Sequence, residues 1–144
     1  MGKSGNPAKN KKLNATISVL SNSPGMPTGY GQATEALVNL LKREGADVAA
    51  LSNYGHEGTN STFRTEFGDI PLYARGNEAY SNDVAPAHHK HWKAVNAKQP
   101  DLMITLYDVW VLNSKAYDSI PIASWTPIDH NPVPPCLLYT SDAA

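Results

Sequence analysis

The sequence predicts an α/β protein built on a doubly wound, mostly parallel sheet, and three observations carry this prediction. Short β-rich runs alternate along the chain with segments of helical periodicity, as in α/β folds. A strand, a Gly/Pro loop, a helix and a second strand fit within residues 16–51, which is the size of one βαβ unit. The chain of 144 residues is also long enough for one domain with a hydrophobic core.

The βαβ unit defines the first elements. Residues 17–20 are predicted as a buried strand and residues 32–43 as a helix, which Gly45 ends. Residues 47–51 follow as the second strand, so the two strands should pair in parallel through a right-handed crossover. The apolar residues expected on the buried face of the helix are Ala33, Ala36, Leu37, Leu40 and Leu41.

The second half of the chain begins irregularly and then alternates again. Residues 52–68 are rich in Gly, Asn, Ser and Thr, which predicts a surface excursion with a short hairpin as an option. From there the predicted elements are a strand at residues 70–74, with Pro71 near its start or at a sheet edge, a helix at 84–97, the most apolar strand at 102–106, a short helix at 108–117 and a last strand at 121–125.

The net charge of −1 hides an uneven distribution of basic residues. Four of the twelve are Lys3, Lys9, Lys11 and Lys12, and no acidic residue lies among the first twelve positions. We therefore predict a disordered basic leader at residues 1–13, with a binding arm as the alternative, and it lacks the apolar segment of a secretory signal. The rest of the chain holds eight basic and thirteen acidic residues, which argues against a nucleic-acid-binding surface.

Cysteine usage and hydropathy indicate the compartment. With Cys136 as the single cysteine, no internal disulfide can form, which predicts a reducing cytoplasm. No apolar run approaches the roughly 20 residues that a membrane-spanning helix needs. We therefore expect a cytoplasmic protein without a membrane span.

The last nine residues continue no pattern that precedes them. Residues 136–144 resemble the conceptual translation of a transposase sequencing adapter, which is known at the ends of metagenomic reading frames. We therefore expect this segment to be non-native and the gene to be truncated at about Pro135, with a genuine short tail as the alternative. The predicted domain then covers residues 14–135.

The first candidate binding site is the Gly29-Tyr30-Gly31 turn before the first helix. Glycine can adopt positive φ and lets a ligand approach the backbone, while a helix N-terminus offers N–H donors and partial positive charge. The motif is neither G-x-G-x-x-G, because Thr34 replaces the last glycine, nor a phosphate-binding Gly-Lys-Ser/Thr loop. A purely structural turn is the alternative.

Two further candidate sites follow later strands. Tyr107 and Asp108 come after the most apolar strand, and Asp129 and His130 come after the last one. Ligands of open α/β sheets bind outside the carboxyl ends of strands, so these side chains and the glycine turn should share one edge. As alternatives, Asp108 caps the next helix and the Asp129–His130 pair is a cap or a solvated pair. Trp110 is interpreted as a core residue rather than a stacking platform.

Three histidines on the predicted helix at residues 84–97 could suggest a metal site. On a helix His88 and His91 share a face, while His89 points elsewhere. No cysteine or carboxylate lies at a convincing ligand spacing, so we predict an exposed, polar start of a helix and no metal. A Gly-x-Ser-x-Gly nucleophile motif is also missing from the sequence, which gives no support for covalent hydrolysis.

Four segments, taken in order, resemble the N-terminal half of GT-B glycosyltransferases, and the nearest group is the retaining enzymes of family four. The resemblance lies in the order and spacing of the segments rather than in any one of them, and it runs from about Asn14 to Pro135. The segments are residues 22–31, 54–55, 105–110 and 125–134.

This resemblance implies a Rossmann-like domain that holds the acceptor, next to a C-terminal domain that binds the nucleotide-sugar. Gly29 and Gly31 match the loop that faces the donor diphosphate. Asp108 matches the position after the fourth strand, where many relatives have a His-Asp pair and this chain has Tyr107 before the aspartate. Asp129 and His130 match a polar pair that lines the same cleft.

The implied function is the acceptor side of sugar transfer from a nucleotide-sugar to an acceptor hydroxyl, without a metal or another cofactor. The donor-binding residues of such enzymes lie in the C-terminal domain, so this chain is expected to be inactive as given. One alternative is a non-catalytic module that binds a nucleotide or sugar. A dinucleotide-dependent oxidoreductase is disfavoured, because Leu51-Ser52-Asn53 ends the second strand without a ribose-binding acid.

Overall fold

Six strands form one sheet in the computed structural model, which describes residues 13–96, 100–106 and 115–125. The strand order is β3-β4-β2-β1-β5-β6, and all neighbours pair in parallel except β3 and β4, which are antiparallel. The predicted α/β, mostly parallel architecture is therefore confirmed, and it is consistent with a Rossmann-like fold. The elements are β1 (Thr16–Asn22), α1 (Gly29–Arg43), β2 (Asp47–Tyr54), β3 (Ser61–Thr65), β4 (Gly68–Tyr73), a single 3₁₀ turn (Ala79–Ser81), α2 (Ala85–Val95), β5 (Asp101–Thr105) and β6 (Ile122–Ser124).

The two helices pack against separate apolar clusters, which the side-chain alternation along the strands creates. Ile17 and Val19 of β1 belong to the cluster that contains Val38 of α1. Leu20, one position further along β1, belongs to a second cluster with Ala85 of α2. Successive side chains of a strand point to opposite faces, so each helix covers its own face of the sheet.

Helix α1 begins three residues before its predicted start at Gln32. Thr28 caps it, because its Oγ1 accepts a hydrogen bond from the N–H of Gly31 at 2.9 Å. The helix ends before Gly45, whose φ of 97° is the left-handed conformation that glycine favours.

The buried face of α1 also differs from the prediction. Leu40 and Ala36 are exposed, whereas Leu41 is buried and Ala33 and Leu37 are partly buried. The buried residues of the helix are instead Gly31, Thr34, Val38 and Leu41. The packing of the helix on the sheet decides which face is buried, and this face is not the most apolar one.

The segment predicted as a surface excursion is partly regular. Strand β2 extends to Tyr54, three residues beyond its predicted end, and a loop at residues 55–60 follows. The optional hairpin is present, since β3 pairs with β4 around a two-residue connection. Pro71 lies opposite Thr62 in this hairpin, and β3 rather than β4 is the edge strand.

The later strands and helix α2 agree with the prediction to within two residues. Helix α2 lies inside the predicted range 84–97, and β5 begins one residue before its predicted start. Residues 115–119 form turns instead of the end of a predicted helix at 108–117, whose residues 108–114 lie outside the described residues. In the described ranges no helix combines the length and apolar character needed to cross a membrane.

Candidate functional site

An apolar cavity of about 490 Å³ lies at the carboxyl edge of the sheet, where the sequence places its candidate sites. It is formed where the N-terminus of α1 faces the residues that follow β5 and β6. Ligands of open α/β sheets bind at this edge, and the volume is within the ordinary range for small-molecule sites. We call it the aromatic cavity, and its lining residues are Thr28, Gly29, Tyr30, Ala33, Leu106 and Trp125.

The loop between β1 and α1 is held by hydrogen bonds at both ends. Ser23 donates its N–H to the carbonyl oxygen of Tyr54 at 2.8 Å, which ties the loop to the end of β2. Asn22 Nδ2 donates to Thr28 Oγ1 at 3.1 Å, and the same oxygen caps α1. The end of the first strand and the start of the helix are therefore fixed to each other before any ligand binds.

Met26, a residue of this loop, packs so closely against two positions that both need glycine. A Cβ at Gly31 would lie 2.5 Å from the Met26 carbonyl oxygen, so any side chain there would collide with backbone. A Cβ at Gly55 would lie 2.5 Å from Met26 Cγ, and Gly55 also has a φ of +96°. Both glycines allow the loop to pack closely against the sheet and the helix.

Gly29 and Gly31 therefore have different surroundings, although the sequence resemblance implies the same role for both. Both lie inside α1, and neither is among the glycines with positive φ, a conformation found instead at Gly25 and Gly55. No atom lies within 4 Å of the position of a Cβ at Gly29, which lines the aromatic cavity. Gly29 is open to a ligand, and Gly31 is needed for packing.

Two aromatic side chains give the cavity its chemical character. Tyr30 is 38% exposed and Trp125 is 59% exposed, while Leu106, the residue after β5, is buried. Aromatic faces stack on nucleobases and on the apolar faces of sugar rings, and the α1 N-terminus adds partial positive charge that suits a phosphate. Sequence reasoning missed Trp125 as a lining residue, although its position at the end of the last predicted strand was a usable signal.

The other predicted site residues lie outside the described residues. This applies to Tyr107, Asp108, Asp129 and His130, and Trp110 lies there too. Leu106 directly precedes the first of these segments, and it lines the aromatic cavity. Of the predicted site, Gly29 and Tyr30 line the cavity, whereas Gly31 packs against Met26.

The prediction of an exposed, polar helix start is wrong for His89. Its side chain is completely buried against the sheet. Nε2 lies 2.8 Å from Asp101 Oδ2, and Nδ1 lies 2.7 Å from Ser18 Oγ. The Asp101 carboxylate accepts the N–H of His89 Nε2, and Nδ1 forms the hydrogen bond with the Ser18 hydroxyl. Lys93 Nζ lies 3.3 Å from the other carboxylate oxygen, Asp101 Oδ1.

This Ser-His-Asp chain does not form a hydrolytic site. Ser18 and His89 are both completely buried, so no substrate can reach the hydroxyl. Asp101 and Ser18 belong to neighbouring strands, and Thr16 pairs with Asp101 in the sheet register. These hydrogen bonds instead tie α2 to the neighbouring strands β1 and β5.

The carboxyl group of Asp101 titrates abnormally because of these partners. Burial by itself raises the pKa of Asp101, but the hydrogen bonds from His89 and Lys93 and their positive charges together lower the pKa below its ordinary value of 3.8. The unfolded chain therefore takes up a proton at higher pH than the folded one. The stabilisation is complete above the unfolded pKa and is lost as the pH falls through the folded pKa.

We expect this difference to appear in acid unfolding of Asp101→Asn. The variant should be less stable than the wild type near neutral pH, and the gap should shrink from about pH 6 to about pH 2. Urea unfolding followed by circular dichroism at a series of pH values measures it. Asp118→Asn, which removes an exposed carboxyl in a turn, is the control. A gap for Asp101→Asn that does not change with pH would contradict the assignment.

The two remaining histidines of α2 contact Tyr73 at the end of β4. The Tyr73 hydroxyl and His91 Nδ1 lie 2.7 Å apart, and the rings of Tyr73 and His88 are 4.7 Å apart. Burial and then the nearby His91 lower the pKa of His88, against an opposing effect of Asp83. Among the described residues no group of three or more His, Cys, Asp or Glu side chains could hold a metal ion.

Comparison with protein-family models, curated proteins and solved structures found no match to this chain. The fold and the geometry of the site are therefore the observations on which a function can be argued.

Proposed function

We propose that this chain is the acceptor-side domain of a retaining GT-B glycosyltransferase, which moves a sugar from a nucleotide-sugar to an acceptor hydroxyl. The observation that carries the proposal is the aromatic cavity at the carboxyl edge of the sheet, beside the N-terminus of α1. Its position agrees with the cleft that the sequence resemblance implies.

The lining of the cavity suits the two parts of a nucleotide-sugar. Tyr30 and Trp125 offer aromatic faces for a base or a sugar ring. Gly29 lies in the first turn of α1, where N–H groups and the helix dipole favour a diphosphate, and it leaves the backbone open. Gly31 has a positioning role, since it lets Met26 hold the loop in place.

In the proposed reaction, charge on the departing diphosphate is stabilised electrostatically, without a protein nucleophile. Asp108, Asp129 and His130 would orient the acceptor, as the resemblance implies. A second, C-terminal domain would supply the remaining donor-binding residues, so the chain as given should bind ligands weakly and not turn over.

Titration of the chain with nucleotide-sugars tests the proposal. UDP-glucose and GDP-mannose should shift the amide NMR signals of Gly29 and Tyr30 and the indole signal of Trp125. Trp125→Ala should weaken this binding about tenfold or more, because stacking of a base on an aromatic ring contributes about 1–3 kcal/mol. Phe67→Ala, which removes another exposed aromatic residue in the β3–β4 turn, should leave binding unchanged. Tight binding of NAD instead would contradict the proposal.

A further inference from the structure

A second, polar cavity of about 350 Å³ lies at the same edge of the sheet as the aromatic cavity. It is formed by the loops after β2 and β4, which are parallel neighbours and therefore end at the same edge. Its residues do not line the aromatic cavity. We call it the polar cavity, and its lining residues are Glu57, Gly58, Arg75, Gly76 and Asn77.

Arg75 carries hydrogen-bond donors that the described residues do not satisfy. Its side chain is 26% exposed, and its Nε donates to the carbonyl oxygen of Gly76 at 3.1 Å. The terminal nitrogen Nη1 lies 3.8 Å from Glu57 Oε2, which is too long for a hydrogen bond. A guanidinium has five N–H donors, so most of those on Arg75 have no acceptor among the described residues and can bind a ligand or water.

Hydrogen bonds and an unusual backbone conformation fix the loop after Arg75. Ser81 Oγ accepts the N–H of Gly76 at 3.1 Å and donates to the carbonyl oxygen of Ser52 at 3.0 Å. Tyr80 and Ser81 both have positive φ, of 64° and 56°, which side chains rarely adopt. Such backbone strain persists where surrounding contacts impose it, and it is often found at functional sites.

An acidic side chain supports the same loop. The N–H of Asn77 donates to Asp83 Oδ2 at 2.7 Å, and Gly76 packs so closely on Asp83 that a Cβ there would overlap the carboxylate. The loop therefore has little freedom to close over Arg75.

The charges around the polar cavity favour hydroxyl groups over an anion. Glu57 lies beside Arg75, and its side chain is 76% exposed and free to turn toward a ligand. A guanidinium next to a carboxylate offers donors and an acceptor side by side, which matches neighbouring hydroxyl groups of a sugar. A phosphate would meet the negative charge of Glu57, and Asp83 adds a second carboxylate to the neighbouring loop.

We propose that Arg75 and Glu57 form a subsite that binds the hydroxyl groups of a saccharide acceptor. The inference rests on the proposed function, because a sugar held here belongs to the acceptor side of the same cleft. Arg75 donates from its terminal nitrogens to one hydroxyl, and Glu57 accepts from the neighbouring hydroxyl. The aromatic cavity then holds the parts of the acceptor and the nucleotide-sugar that lie nearer to α1.

NMR titration of the ¹⁵N-labelled 144-residue chain tests this subsite. The probes are methyl α-D-glucopyranoside, methyl α-D-mannopyranoside and methyl β-D-galactopyranoside. At least one should shift the amide signals of Gly58, Gly76 and Asn77. Arg75→Gln should weaken this binding at least tenfold, and Glu57→Gln, at an exposed position, should weaken it severalfold.

Arg64→Gln is the matched control, because Arg64 is an exposed arginine paired with Asp69 in the β3–β4 hairpin. It should bind the glycosides as the wild type does. The proposal is overturned if no glycoside shifts the three amide signals, or if both Arg75→Gln and Glu57→Gln bind like the wild type. Stronger binding of inorganic phosphate than of every glycoside at these amides would overturn it as well.

A parallel titration with UDP-glucose separates this inference from the proposed function. Shifts at Gly29 and Tyr30 without any glycoside response at Gly58 would overturn the subsite and support the transferase proposal. A glycoside response at Gly58 that depends on Arg75, without shifts at Gly29 for any nucleotide-sugar, would establish the sugar site and overturn the transferase proposal.

Discussion

Replacing His89 with alanine is expected to destabilise the protein by about 3–5 kcal/mol. The imidazole is completely buried and joins α2 to β1 and β5 through Ser18 and Asp101. Its removal leaves a cavity, and it leaves a buried hydroxyl and a largely buried carboxylate without their shared partner. Urea unfolding followed by far-UV circular dichroism should show a lower midpoint with an unchanged slope.

Lys90→Ala is the matched control for this substitution. Lys90 is the next residue of α2 and is exposed, so its loss should change the free energy of unfolding by about 0.5 kcal/mol or less. A loss of less than about 1 kcal/mol for His89→Ala would contradict a stabilising role for the hydrogen bonds from His89 to Ser18 and Asp101.

Replacing Gly31 with alanine is the second large expected effect, with a loss of about 1–3 kcal/mol. The new Cβ would lie 2.5 Å from the Met26 carbonyl oxygen and 2.7 Å from Met26 Cβ. This backbone cannot move freely, because the Met26 carbonyl accepts the N–H of Thr28 and the Met26 N–H donates to Ser23. The clash should outweigh the helix-stabilising effect of alanine, which is at most about 1 kcal/mol.

Gly29→Ala provides the comparison within the same helical turn. No atom lies within 4 Å of the Cβ position, so this variant should be as stable as the wild type or slightly more stable. Its methyl group would narrow the aromatic cavity and should weaken the binding of UDP-glucose. Thermal unfolding of both variants checks the expectation, and equal stability of Gly29→Ala and Gly31→Ala would contradict it.

The first βαβ unit could be predicted because its signals are local. The strand at Thr16–Asn22 is an almost continuous run of buried residues, whereas the helix that follows buries residues at helical spacing. The missed helix start has a local cause as well. Thr28 was a recognisable cap, but the flanking Gly and Pro residues made the loop seem three residues longer.

The edge of the sheet at which the aromatic cavity lies was predictable, and its lining residues were less so. Because parallel strands end at one edge, the glycine turn and the segments after β5 and β6 could be placed together from strand order alone. The same reasoning did not find Arg75, since one arginine in an irregular loop has no local pattern. Its partially buried donors become visible when the loops after β2 and β4 are brought together.

The sequence by itself determined the alternation of strands and helices and the edge where ligands should bind, because periodicity and turn residues act over a few positions. The tertiary structure decided which side chains meet. His89 and Ser18 are 71 residues apart, and their hydrogen bond turns an apparently exposed histidine into a buried one. Met26, packed between Gly31 and Gly55, likewise gives Gly31 a packing role that Gly29, two residues earlier in α1, does not have. Contacts between distant residues depend on the packing of whole elements, and a local pattern cannot contain them.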